Sequence, residues 1–131
     1  MELTNALKID IVGHFDVLTK FNEKEYLIDE DSQEYKNYAL EALHEISKCC
    51  DVFEVNTGAI SRGYRTTPYL APFILKEIKN LNCKLVLSSD CHDKNFLDCH
   101  FKETINYIKS NGFNELYFFN KGKFVGEKIW I

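Results

Sequence analysis

Short runs of β-branched and aliphatic residues alternate with helical patterns along this chain, and this alternation constrains the fold more than any other feature of the sequence. Predicted strands cover 8–13, 51–56 and 84–88, and a helical pattern follows each of them. Strands that alternate with helices in this way form parallel βα units, either in an open sheet or in part of a barrel. The sequence therefore predicts an α/β fold with three such units.

The predicted helices have recognisable ends. Ser32 is a candidate N-cap for a long helix that runs to Cys50, and Pro72 is suited to the first turn of a second helix. A third helix is predicted over 101–111, where Gly112 would close it as a left-handed C-terminal cap. These local signals predict where each helix begins or ends.

The last part of the chain predicts a hairpin. Strand-like residues at 115–119 and 123–125 flank the turn sequence Asn120-Lys121-Gly122. The chain has 131 residues, of which 45% are hydrophobic, and this is the size and the material of one domain with one core. We therefore expect residues 1–131 to form a single domain.

Charge, hydropathy and cysteine content exclude several classes of protein. The chain has 16 basic and 20 acidic side chains, so its bulk charge does not favour a nucleic-acid partner. The same charge does not exclude a small phosphorylated substrate. No apolar run approaches the roughly 20 residues that span a bilayer, and the acidic start lacks the features of a signal peptide. The five cysteines include no CxxC pair and favour reduced thiols. We expect a cytoplasmic protein without a membrane partner.

Two predicted strands end in residues that can bind a metal. The loops at the carboxyl ends of parallel strands hold the functional groups of α/β folds. His14 follows the first predicted strand, and Asp90 and His92 follow the third. A carboxylate beside an imidazole suits Zn, Mn or Fe. From position alone, two other interpretations stay open. His14 could be a structural histidine, and Asp90 could cap a helix while His92 lies on the surface.

Three further residues lie near the same ends of the strands. Glu54 and Asn56 share one face of the second strand, where a buried acid needs a cation, a metal or a hydrogen-bond donor, unless the face is solvated. Arg62 lies in a glycine-flanked loop, and its guanidinium group is well shaped for a phosphate, although an isolated loop arginine is usually solvated. His44 and His100 have no partner at metal-ligand spacing, and we expect them to be structural.

In this order, the elements resemble the C-terminal part of the histidinol-phosphatases in the PHP (polymerase and histidinol phosphatase) superfamily. The resemblance covers about residues 7–113. It implies a distorted seven-unit β/α barrel that carries up to three divalent metals and hydrolyses histidinol phosphate to histidinol in histidine biosynthesis. The matching stretches are Asp10-Ile11-Val12-Gly13-His14-Phe15-Asp16, Phe53-Glu54-Val55-Asn56-Thr57-Gly58 with Arg62-Gly63, and Ser88-Ser89-Asp90-Cys91-His92.

The resemblance also implies roles for individual residues. Carried over by position, His14, Asp90 and His92 resemble metal ligands, and Asp90 and His92 become the candidate catalytic residues. The implied cofactor is a divalent metal (Zn, Mn or Fe), held in this chain as a single ion. The resemblance implies that Arg62 binds the phosphate and that Asn56 and Glu54 line the substrate side of the site.

The sequence departs from the family pattern before His14, which is its first histidine. The opening His-x-His motif is missing, as are the glutamate and the further histidine that complete the family's metal cluster. A related eight-unit barrel takes about 250 residues, so this chain corresponds to about half of one. We therefore expect a partial PHP-type barrel, with the C-terminal three or so βα units and a terminal hairpin.

Three functions follow as hypotheses. The first is a histidinol-phosphatase whose turnover depends on the missing half of the barrel. The second is an inactive PHP fragment, or a module that binds metal or phosphate without turnover. The third is a PHP phosphoesterase with a different substrate. In each case, the unpaired edge of the first predicted strand, at 8–12, would pair with a second copy of the chain or with an N-terminal half-barrel.

Overall fold

Four strands form an open sheet in the part of the chain that the computed structural model describes, residues 8–130. The spatial order of the strands follows the chain order, and the first three are parallel while the fourth returns antiparallel. This is a mixed α/β fold with a mostly parallel sheet. The strands are β1 (Val52–Asn56), β2 (Lys84–Ser88), β3 (Glu115–Asn120) and β4 (Lys123–Lys128).

Residues 8–130 contain five α-helices and two short 3₁₀ turns, some before β1 and some between the strands. The Ser32 hydroxyl accepts a hydrogen bond from the backbone N–H of Tyr35, so the predicted N-cap is confirmed. Pro72 begins its helix, and Gly112 has the left-handed φ of 90° that was expected of a C-terminal cap. The helices are α1 (Asn22–Glu25), α2 (Gln33–Ser47), α3 (Gly58–Ser61), α4 (Pro72–Asn80) and α5 (Phe101–Ser110), and the 3₁₀ turns are Val17–Thr19 and Lys94–Phe96.

The hydrophobic core lies between one face of the sheet, here called the covered face, and the helices. In register across β1 and β2, Phe53 pairs with Leu85 and Val55 pairs with Leu87, so these side chains share the covered face. Phe53, Val55 and Leu85 are almost completely buried. The helices contribute Leu43, Ile74, Leu75, Ile78 and Ile108, and the segments between elements contribute Val12, Cys50 and Leu70.

The opposite face of the sheet, here called the open face, is lined differently. Glu54 lies beside Val86, and Val86 lies beside Tyr117, so these three side chains form one row across the strands. Phe119 and its cross-strand partner Phe124 lie two residues further along the hairpin. The groove along this face is lined by strand residues and by the segment around His14. The open face therefore carries polar and aromatic side chains.

The predicted first strand is wrong in its extent. Within 8–13, only Val12 pairs with β1, through a single parallel bridge to Phe53. Its N–H donates to the carbonyl of Val52 at 2.8 Å, and its carbonyl accepts from the N–H of Glu54 at 3.0 Å. Asp10 lies in a bend and Ile11 is exposed, so little burial is available to extend the ladder. The edge that was expected to pair with a partner is therefore not a formed strand.

The other predicted elements agree with the structure. The strands β1 and β2, the long helix after Ser32, the helix at Pro72, the helix before Gly112 and the terminal hairpin are all confirmed. Lys121 and Gly122 both have positive φ values, 49° and 84°, as a two-residue hairpin turn requires. In residues 8–130, no helix combines the length and the apolar character needed to cross a bilayer.

Candidate functional site

Three loops meet at the carboxyl ends of β1 and β2. The N–H of Thr57 donates to the carbonyl of Ser88 at 2.9 Å, which joins the ends of the two strands. His14 and Asp90 both have a left-handed backbone, with φ values of 55° and 45°. Asp90 therefore does not continue the extended backbone of β2. The sharp turns bring both side chains over the end of the sheet.

The Asp90 carboxylate is the centre of this site. Arg62 donates from Nη2 to its Oδ2 at 2.8 Å and from Nη1 to the Asp90 backbone carbonyl at 3.0 Å. His14 Nε2 lies 3.7 Å from Oδ2, and His92 Nε2 lies 3.5 Å from Oδ1. The structure thus brings together four of the residues that the sequence singled out, around one carboxylate.

Two opposing effects act on the pKa of this carboxylate. Partial burial raises the pKa of Asp90, but the hydrogen bond and the positive charge of Arg62 outweigh that effect and hold the pKa below its usual value. The rings of His14 and His92 act in the same direction. Asp90 is therefore ionised at neutral pH, the form in which a carboxylate binds a cation. The alternative of a helix cap at Asp90 is wrong, because Asp93 caps the following 3₁₀ turn, whereas the other part of that alternative, a surface His92, agrees with a side chain that is 77% exposed.

Gly58 makes the pairing of Arg62 with Asp90 sterically feasible. A methyl group at Gly58 would lie 2.7 Å from Nη2 of Arg62, and 3.0 Å from both the Asp90 Cβ and the carbonyl oxygen of Ser89. Real Cβ atoms are essentially never found at 2.7 Å from a neighbour, and at 3.0 Å the neighbouring atoms would have to move by a few tenths of an ångström. Sequence analysis did not single out this glycine, because only the folded structure shows what stands opposite it.

Glu54 supports the backbone of the first loop. Its Oε2 accepts a hydrogen bond from the N–H of His14 at 2.9 Å, across 40 residues of sequence. A methyl group at Gly13 would lie 3.4 Å from the same oxygen, an ordinary contact. Glu54 therefore has a hydrogen-bond donor as its partner, one of the three partners that the sequence left open for a buried acid.

Asn56 lies in a different environment from the one expected. It was predicted to line the substrate side, but its side chain is completely buried. Its Oδ1 accepts from the N–H of Gly58 at 2.8 Å, so it holds the beginning of α3 in place. Its Nδ2 is buried and has no hydrogen-bond partner among residues 8–130. In this structure, Asn56 acts on the site through Gly58 and not through the surface.

A second polar cluster, which sequence analysis missed, holds the His14 loop against the Arg62 loop. Arg65 donates from Nη1 to the carbonyl of Thr19 at 2.7 Å, and only 9% of its side chain is exposed. The Tyr35 hydroxyl donates to Asp16 Oδ1 at 2.5 Å. Burial raises the pKa of Asp16 to about 6, and the hydrogen bond from Tyr35 offsets part of that effect. No local sequence pattern predicts these contacts, because they join loops that are distant in the sequence.

The donor chemistry of the site fits a divalent transition metal. Two imidazole Nε2 atoms flank the two oxygens of one ionised carboxylate, and Zn, Mn and Fe all accept this combination. Among residues 8–130, no three His, Cys, Asp or Glu side chains are already gathered as a metal-holding group. The Arg62 guanidinium is the cation that pairs with Asp90 in this arrangement. A metal ion would have to share Asp90 with Arg62.

The chain matches no protein-family model, and no curated protein is significantly similar to it in sequence. Its function is therefore inferred from the chemistry of the site and from the sequence motifs that form it. Both lie in the same three loops, at 12–16, 56–63 and 88–92.

Proposed function

We propose that this chain is the metal- and phosphate-binding part of a phosphomonoester hydrolase like the histidinol-phosphatases, with histidinol phosphate as its substrate. The observation that carries the proposal is the grouping of His14, His92 and Arg62 around the Asp90 carboxylate at the ends of two parallel strands. In this proposal, the open sheet is the C-terminal part of a PHP-type barrel, and turnover depends on the remainder of the barrel.

The three proposed metal ligands are His14, Asp90 and His92. Three protein ligands hold a catalytic ion and leave positions open for water and substrate. When bound, a divalent ion supplies an activated water and neutralises negative charge on the phosphoryl group. Asp90 contributes the anionic ligand, and the Arg62 side chain keeps that carboxylate ionised. Glu54 orients the backbone of His14 through its hydrogen bond.

Arg62 is the proposed phosphate-binding residue. A guanidinium fork matches the spacing of phosphate oxygens and forms charge-assisted hydrogen bonds with them. Its two terminal nitrogens now donate to the Asp90 carboxylate and the Asp90 backbone carbonyl. A phosphate bound next to Asp90 would therefore lie within reach of Arg62 without a change in the loop that carries it.

A second candidate is a module that binds metal or phosphate without turnover. Its specific support is that Asp90 is already neutralised by Arg62, while residues 8–130 contain no larger group of metal ligands. Such a site would bind a single ion and a phosphate but would lack the further ions that the family uses. The two candidates differ only in whether phosphate is released.

The test measures phosphate release from histidinol phosphate, with Mn²⁺ or Zn²⁺, by the purified chain mixed with the N-terminal half of a histidinol-phosphatase barrel, because turnover is proposed to depend on that half. We expect metal-dependent release that His92→Ala abolishes. His44→Ala is the matched control, because His44 lies on α2 and pairs with Glu77 at 2.7 Å, away from the site. Release from other phosphomonoesters, but not from histidinol phosphate, would assign a different PHP substrate.

Calorimetric titration with the same metals separates the two candidates. If the chain binds one ion through His92 and Asp90 but releases no phosphate even with the N-terminal half supplied, it is the binding module. If the chain neither binds the metal nor releases phosphate, both candidates are wrong. Loss of metal binding in His92→Ala, with binding retained in His44→Ala, would identify the site irrespective of turnover.

A further inference from the structure

A groove with a volume of about 430 Å³ runs along the open face and reaches the polar cluster at His14. Cavities of about 300–1,000 Å³ with apolar walls and few polar groups are typical sites for small molecules. Val86 forms the floor, between Glu54 on one side and Tyr117 on the other. The residues that give the groove its character are Ile11, His14, Glu54, Tyr117, Phe119 and Phe124.

The hairpin of β3 and β4 forms the aromatic wall of this groove. Phe119 is 62% exposed, and its ring meets that of Phe124 edge to face, with the centroids 5.4 Å apart. Gly126 leaves room first for the Glu115 carboxylate and then for the ring of Tyr117, since a methyl group there would overlap Glu115 and lie 3.0 Å from the Tyr117 Cε1 atom. The Tyr117 hydroxyl donates to that carboxylate at 3.1 Å. Exposed aromatic side chains that line a concave surface mark a binding groove. The hairpin lies beyond residues 7–113, which carry the family resemblance.

The opposite wall of the groove carries a negative charge. Glu54 Oε2 accepts from the N–H of His14, whereas Oε1 accepts no hydrogen bond from residues 8–130. A carboxylate that faces aromatic rings across an apolar floor is suited to an organic cation, which pairs with the carboxylate and with the ring faces. The ring of Tyr117 already has the ammonium group of Lys84 at 5.8 Å from its centroid.

We propose that this groove binds a flat organic cation, namely an aromatic group that carries an amine. The cation pairs with Glu54, and the aromatic group packs against Phe119 and Phe124. The identity of the occupant rests on the proposed function. If that function holds, the occupant is the alcohol part of the phosphomonoester whose phosphate binds at Arg62. The hairpin then determines which phosphomonoesters are bound.

The first experiment uses benzylamine with the whole chain and needs neither metal nor phosphate. We expect its addition to shift the NMR resonances of Glu54, Tyr117 and Phe119. Glu54→Gln keeps an acceptor for the His14 N–H but removes the charge, and Phe119→Ala removes the aromatic wall. Each should weaken benzylamine binding at least about threefold, as expected for the loss of one exposed cation–π or ion-pair contact.

Two controls make the result specific to the groove. Tyr26→Ala removes a ring that is 74% exposed next to α1 and should leave benzylamine binding unchanged. Benzyl alcohol keeps the ring but has no charge, and it should bind more weakly than benzylamine. The proposal is overturned if the groove resonances do not move, or if Glu54→Gln and Phe119→Ala bind benzylamine as the unaltered chain does. It is also overturned if the same resonances shift on dilution with dissociation of a dimer, because a second copy would then occupy the groove.

The second experiment separates the groove from the proposed function. Methylphosphonate and 2-aminoethylphosphonate are compared for binding to the metal-loaded chain. Binding of methylphosphonate that Arg62→Gln abolishes reports the phosphate end, which belongs to the proposed function. The additional affinity of 2-aminoethylphosphonate, lost in Glu54→Gln, reports the groove. If benzylamine binds but neither phosphonate does, the groove stands and the link to a phosphomonoester is wrong.

Discussion

The covered and open faces of the sheet are built from alternate residues of the same strands, yet they serve different purposes. In β1, Phe53 and Val55 are completely buried against the helices, whereas Glu54 between them faces the groove and holds His14. Parallel sheets usually bury both faces, and their strands then have continuous hydrophobic runs. Here one face supplies the packing and the other carries the polar and aromatic groups, so substitutions on the two faces should affect different properties.

The largest effect is expected on the covered face. Phe53→Ala removes a fully buried ring that meets Phe15 edge to face, with the centroids 6.0 Å apart. The loss of such a side chain costs about 3–5 kcal/mol in the free energy of unfolding. Urea unfolding measures the change, and Phe96→Ala is the control because its ring is 40% exposed in a loop. A loss below about 1 kcal/mol for Phe53→Ala would show that the covered face is not the principal core.

A smaller effect on the free energy of unfolding, which depends on pH, is expected at Asp16 in the loop that contains His14. Burial raises its pKa from 3.8 to about 6, so between these values the folded chain binds more protons than the unfolded chain, and stability falls as the pH rises. Asp16→Asn cannot ionise, and it should be more stable than the unaltered chain at pH 7 by about 3 kcal/mol, with little gain below pH 4. Thermal unfolding across pH 4–7 measures the difference.

Tyr35→Phe tests the same contact from the other side. The hydrogen bond from Tyr35 lowers the pKa of Asp16, although burial is the larger influence. Its removal should raise that pKa further and extend the loss of stability to higher pH. If Asp16→Asn has the same pH profile as the unaltered chain, the Asp16 carboxyl is hydrated and not buried between the two loops.

The contrast between the faces also explains which features the sequence could predict. Local signals identified the elements of the covered side: the Ser32 cap, the proline at the start of α4, and the Gly112 cap. The alternation within β1 likewise separated Glu54 from the core residues. The predicted strand over 8–13 was wrong because its β-branched residues imply burial, while Val12 is buried, Ile9 is half-buried and Ile11 is exposed.

The candidate site was predictable in its members but not in its contacts. His14, Arg62, Asp90 and His92 were identified because they follow the strands, and the structure places the other three around the Asp90 carboxylate. The turn at Asp90, the role of Gly58 and the contact of Arg65 with Thr19 were not predictable. The last contact joins residues 46 apart, and no spacing in the sequence encodes such a pair.

A moderate effect is expected at Gly58, which lies where β1 ends beside the site. Gly58→Ala would place a methyl group against the Asp90 Cβ and the Ser89 carbonyl, both at 3.0 Å, and the loops must separate to accept it. We expect a loss of about 1.5 kcal/mol in the free energy of unfolding, as is typical of overpacking, together with weaker methylphosphonate binding. Gly13→Ala is the matched control, because its methyl group would meet only Glu54, at 3.4 Å. Equal stability of the two variants would mean that Arg62 and Asp90 are not held together in solution.

The smallest change in stability is expected on the open face, at Phe119. Phe119→Ala removes a ring that is mostly exposed and packs against Phe124 alone among the aromatic residues of the described chain, so it should cost less than about 1 kcal/mol. The same substitution at Phe53 on the covered face should cost about 3 kcal/mol more, because there the ring is lost from a close-packed interior. Urea unfolding at two protein concentrations measures both. A cost at Phe119 that equals the cost at Phe53, and that grows with protein concentration, would mean that another copy of the chain buries the open face. The difference between the two faces would then exist only in the isolated chain.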